Sequence, residues 1–197
     1  MTDSHLVKSI AYHESGHIVV AAVLGRPLRS SGIHIDCVNR GIAFYAQRKP
    51  KVDYSGPCAG TKMDTMIAAY AGLPAQQIFY RECPVHCADG DEEFIRDLLA
   101  SADDDDFADL ASEEMQTRIK LQAKTLVNKH SVVIKEVAEE LWATPCTNRN
   151  EQDEPNPTWS KSKMEKTLGG KRLLEILEKF GIQAFVWDPG PRIAPAE

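Results

Sequence analysis

The 197-residue chain is predicted to fold as a mainly α domain with a small β-hairpin or sheet element. Three observations predict this: a long apolar stretch bounded by helix start and stop signals at Leu6–Leu24, a succession of helically periodic segments beyond residue 61, and only two short β-prone runs between them. The first helix has Leu6, Ile10, Val20, Val23 and Leu24 as packing positions, Asp3 or Ser4 as its N-cap, and Gly25 followed by Pro27 as its stop. Gly32–Asp36 and Ile42–Ala46 flank Asn39-Arg40-Gly41 and read as two strands joined by a tight turn. A strand of this kind can lie beside a helix and pair with an extended peptide backbone.

Lys49–Gly60, rich in Pro, Gly and Lys, reads as a surface loop. A second helix is expected over Thr61–Tyr80, kinked at Pro74. After a break at Arg81–Gly90, a third helix starts near Asp91, with Phe94, Ile95, Leu98 and Leu99 on one face. A fourth spans Asp105–Lys129 and a fifth Val132–Trp142. Residues 144–158, with their Asn, Pro, Glu and Asp, are expected to be a mobile loop. Lys161–Leu168 and Lys171–Phe180 are expected as terminal helices, closing a single domain over residues 1–187, with 188–197 as a disordered tail.

Composition narrows the function classes. With 43% hydrophobic and 26% charged residues the chain can bury one sizeable core, and its net charge of −6 argues against nucleic acid as a partner. No apolar stretch is long enough to span a membrane, and the start Met1-Thr2-Asp3 lacks the basic region of a signal peptide. Cysteines at 37, 58, 83, 87 and 146 are odd in number and irregularly spaced, which predicts reduced thiols and a cytoplasmic protein.

The chemistry-bearing motif is His13-Glu14-Ser15-Gly16-His17. Positions i and i+4 share a helix face, so both imidazoles can reach one metal ion while Glu14 points at a water beside it. An apolar helix would otherwise exclude two histidines and a glutamate on one turn, because each needs a partner to offset its desolvation. A metal supplies that partner. Gly16 and the alanines at 11, 21 and 22 are small enough to let other backbone approach the site.

Beyond this motif come Gly41-Ile42-Ala43-Phe44-Tyr45, an Ala71-Gly72-x-x-Ala75 helix ending in Ile78-Phe79, an acidic helix start and a long helical tail. In this order they resemble the peptidase domain of FtsH-type zinc metalloproteases. The similarity covers about residues 5–168. It implies a zincin-like, mostly helical fold with zinc (Zn2+) bound by His13, His17 and an aspartate at the start of a later helix, and Glu14 as general base. Among Asp89, Asp91, Glu92 and Glu93, Asp91 is favoured as third ligand because Ile95, Leu98 and Leu99 follow it at helical spacing, with Asp89 the alternative.

The resemblance also implies peptide-bond hydrolysis by a zinc-activated water on peptides or unfolded protein. Homo-oligomerisation, or a separate unfoldase or adaptor, would be compatible with it. The competing class is a catalytically idle binding or regulatory module on the same fold. Two departures bear on the choice. Gln76 and Gln77 stand where family members usually carry glutamate, leaving neutral hydrogen bonding there. The chain begins twelve residues before His13, so no unfolding ATPase is expected ahead of it.

The remaining clusters carry blander expectations. Cys83-Pro84-Val85-His86-Cys87 packs three soft ligands into five residues and could bind a second metal, but it lacks a matching distant pair, and a loop near the active site is the blander reading. Asp103–Asp106 reads as a solvated helix start, His34 as a strand surface residue, and His5 and His130 as without a role.

Overall fold

A computed structural model describes residues 3–36, 41–45, 62–81, 89–100, 110–148 and 164–187. The expected loop at 49–60, the Cys83–Cys87 segment, Asp103–Asp106, residues 149–158 and the tail 188–197 lie outside the described residues.

The architecture is mainly helical with one small antiparallel sheet. Helix α1 (Asp3–Val23) runs through the core and packs against the two strands that follow it and most of the other helices. It is covered on most sides, with Val7, Ile10, Ala11, Ile18, Val19, Val20, Ala21 and Ala22 buried and a polar turn at His13–His17 buried among them. Strands β1 (Leu28–Asp36) and β2 (Gly41–Tyr45) follow as the expected antiparallel pair, β1 starting earlier than its periodicity suggests. Ile33 and Ile35 point into the core while His34 between them is only half-buried.

The expected helix over 61–80 is two helices, α2 (Lys62–Ala69) and α3 (Gly72–Phe79). The chain turns at Tyr70-Ala71, before Pro74, which falls in the first turn of α3. There a backbone N–H has no intrahelical acceptor, so its loss costs nothing. Next come α4 (Asp89–Ala100), with Ile95 and Leu98 buried, and α5 (Glu113–Lys129), capped by Ser112, whose side chain accepts from the Met115 N–H. Helix α6 (Ser131–Ala143) buries Val133, Ile134, Val137, Ala138 and Leu141 along one stripe.

One element differs in type from the expectation. Residues 164–168, expected as helix, form a strand, Met164–Leu168, which pairs antiparallel with β1 from Ile33↔Leu168 to Asp36↔Glu165. Met, Glu, Lys and Leu favour helix locally, but the ladder to β1 and the burial of Leu168 outweigh that preference. This strand is β4, because the two-residue strand β3 (Thr147–Asn148) precedes it and pairs with its other edge. The start of the expected mobile loop is therefore ordered, and the sheet reads β2-β1-β4-β3. Lys166 donates to the carbonyls of Trp142 and Thr144, fastening β4 to the end of α6. Helix α7 (Gly170–Lys179) closes the core with Leu173, Ile176 and Leu177.

Cys146 is disulfide-bonded, contrary to the expectation of five reduced thiols, and its partner lies outside the described residues. Five cysteines accommodate one bridge, so the cysteines no longer point to a reducing compartment. Among the described residues no helix is long and apolar enough to cross a membrane.

Helices α1 and α3 approach each other closely in the core. A Cβ on Gly16 would lie 2.6 Å from the Ala71 carbonyl oxygen and closer still to Ala75 Cβ. Gly16→Ala gains about 1 kcal/mol in helix propensity. Overpacking against a backbone atom costs about 1–3 kcal/mol, so the steric cost should exceed the propensity gain. Urea unfolding should give a lower midpoint for Gly16→Ala at unchanged slope, and a midpoint at or above the parent's would mean that the two helices can separate freely.

Candidate metal centre

His13, Glu14 and His17 sit on the turn of α1 that faces the α2–α3 junction, and all three are at least nine-tenths buried. One ligand atom from each lies within 4.8 Å of the other two, a spacing that could hold a metal ion. Each ring is oriented from behind. His17 Nδ1 is 2.8 Å from the Ala68 carbonyl, which can only accept, so Nδ1 carries the proton and Nε2 offers its lone pair to the site. His13 Nδ1 is 3.1 Å from Gln76 Oε1, and the same amide donates through Nε2 to Ser9 Oγ at 2.9 Å. Here too Nδ1 donates and Nε2 faces inward.

Asp91 closes the arrangement. Its Oδ2 lies 3.0 Å from His13 Nε2 and its Oδ1 3.2 Å from His17 Nε2, whereas Asp89 is exposed at the first position of α4. Asp91 reaches the site because Ile95 and Leu98, on the same face of α4, are held in the core. Gly72 makes room on the other side, since a Cβ there would come 2.6 Å from His17 Nε2 and closer still to His13 Nε2.

The donor set fits a divalent ion. Two imidazole lone pairs and a carboxylate converge, and Asp91 Oδ2 is buried with no hydrogen-bond partner among the described residues despite its closeness to His13. Leaving such an atom unbonded costs about 1–3 kcal/mol, which a cation in contact with it would offset. Two nitrogens and one carboxylate oxygen are donors of the kind zinc takes. Glu14 shows no hydrogen bond or ion pair with another described residue, and its interactions there are electrostatic, with the two rings and Asp91.

Without a metal, a proton takes the cation's place. Burial alone would lower the His17 pKa, but Asp91 outweighs it and, with Glu14 and the Ala68 carbonyl, pushes it up to about 9. Burial likewise works against the Asp91 carboxylate, yet the two histidines hold its pKa below the ordinary carboxylate range. Glu14 is pushed up by its burial; the histidines oppose this and Asp91 adds to it.

The sequence singled out His13, Glu14 and His17, and of Asp91 and Asp89 it is Asp91 that lies against the two rings. It missed Ala68, Gly72 and Ser9. A carbonyl acceptor leaves no residue-type signal, and Gly72 was visible only as part of a small-residue run. His34 is half-buried on β1, its Nδ1 3.1 Å from Thr167 Oγ1 and 3.5 Å from Glu165 Oε1, and belongs to the sheet rather than to this cluster. No protein-family model matches the chain, and no curated protein matches it.

The charge arrangement predicts how the metal-free protein responds to pH. The raised His17 pKa contributes stability that is complete below its unfolded value of about 6.5 and is lost as pH rises through about 9. The depressed Asp91 pKa contributes stability present above 3.8 and lost as pH falls below it. Chelator-treated protein should therefore be most stable at about pH 4–6.5, with its melting temperature falling toward pH 9. Added divalent metal should reverse that alkaline trend, because ligation needs His17 unprotonated. A metal-free melting temperature that climbs between pH 6.5 and pH 9 would contradict the pairing of His17 with Asp91.

Proposed function

We propose that the chain is a zinc-dependent metallopeptidase of the FtsH-peptidase type, with His13, His17 and Asp91 as metal ligands and Glu14 as general base. The observation that carries this is the convergence of two inward-facing Nε2 atoms on the Asp91 carboxylate, 3.0 and 3.2 Å away, with the Glu14 carboxylate within 4.8 Å of the ring nitrogens. Zinc bound there would polarise a peptide carbonyl and lower the pKa of a bound water toward about 7.

The chain's own residues supply the remainder. His13 and His17 are held from behind, so they present lone pairs without reorganising. Asp91 brings the one ligand charge. Glu14, whose pKa is raised by burial, takes the proton from the attacking water and delivers it to the leaving nitrogen. Carried on the same turn of α1, that carboxylate lies within 4.8 Å of both rings, so the proton would move over a short path.

Substrates would be peptides or unfolded segments, presented directly, by a separate unfoldase or adaptor, or within a homo-oligomer. Glu14→Gln removes the base and keeps every ligand, so it should abolish peptide hydrolysis while zinc content stays at the parent's level. Asp91→Ala should instead lower zinc content. Hydrolysis by Glu14→Gln at the parent's rate would exclude the proposed mechanism. A parent protein that holds zinc yet cleaves no unfolded substrate would favour the idle binding module.

A further inference from the structure

The two rings of the site are held by different kinds of group. Behind His17 stands the Ala68 carbonyl, part of the backbone of α2. Behind His13 stands a side chain, Gln76, only 1% exposed on α3. Its amide is gripped at both ends by α1, Oε1 meeting His13 Nδ1 at 3.1 Å and Nε2 meeting Ser9 Oγ at 2.9 Å. Ser9 and His13 are four residues apart, on one face of the helix. The amide thereby touches two positions on one face of α1, and with its oxygen toward the ring the His13 proton sits on Nδ1.

Two consequences follow from this clamp. Without the Gln76 oxygen, His13 could turn, or carry its proton on Nε2, the atom that must face the metal. An amide is also neutral. It accepts the Nδ1–H without drawing the proton away as a carboxylate would, which leaves the imidazole a weaker electron donor. Both outer partners here are uncharged, so neither adds to the charge that Asp91 brings to the Nε2 side.

We propose that Gln76, clamped by Ser9, is a positioning residue for His13, and that its neutrality sets the site's metal affinity below what a carboxylate in the same place would give. This rests on the metal-binding reading of His13, His17 and Asp91. The metal is then held firmly enough for a defined geometry and loosely enough to exchange with a chelator.

The test is zinc affinity of the full chain by chelator competition, with the absorption spectrum of the cobalt-substituted protein as a report on ligand geometry. Gln76→Glu should bind zinc about tenfold more tightly, the gain growing as pH rises and the new carboxyl ionises. Gln76→Leu, of similar volume and unable to accept, should bind about 10–100-fold more weakly, with altered cobalt bands. Ser9→Ala should weaken binding by less. Circular dichroism of the metal-free variants checks that they fold; should Gln76→Leu not fold, Gln76→Glu decides. A parent that binds zinc while Gln76→Glu binds no more tightly overturns this inference alone. A parent that binds no zinc overturns the metal site and the inference with it.

Discussion

A helix at the centre of the core carries two imidazoles and a carboxylate on one buried turn, and the surrounding structure is shaped by the need to satisfy them. Their desolvation has to be offset within a few ångströms. The chain does so from three sides. The Ala68 carbonyl and the Gln76 amide hold the Nδ1 atoms, Asp91 faces both Nε2 atoms, and Gly72 leaves room where any larger residue would press on the rings. Helices α2 and α3 meet at this point because the turn at Tyr70-Ala71 places Ala68 and Gly72 on either side of it.

Much of this was legible in the sequence because it is local. The i, i+4 spacing of His13 and His17 fixes their shared face whatever packs above them. The periodicity of Ile95, Leu98 and Leu99 was enough to turn Asp91 inward. What failed was non-local. Met164–Leu168 has the residues of a helix, and only its pairing with β1 makes it a strand. The start of α3 at Gly72 depends on close approach to α1, so Pro74 looked like a kink inside one helix when it lies in the first turn of another. The Ser9–Gln76–His13 chain joins residues 67 positions apart and has no sequence signature.

Under the proposed function, Glu14 is the residue that separates an enzyme from a module that keeps only the fold. Glu14 is costly where it stands: buried, pushed toward its neutral form, and without a hydrogen bond among the described residues to offset its desolvation. A packing role would be served better by an apolar residue of the same size. The proposed proton transfer to and from a reacting water would account for a carboxylate at this position. The neutral backing of both histidines is consistent with the same use, since it leaves more positive charge on a bound metal for polarising a carbonyl.

Elemental analysis of the purified protein for zinc, with His17→Ala as the control, is the most direct test of a metal centre on α1. The geometry predicts about one zinc ion per chain in the parent and its loss in His17→Ala, in which one of two ring ligands is gone and the fold's other contacts remain. Protein that takes up no zinc even when the ion is supplied, or His17→Ala that retains the parent's zinc, would contradict it.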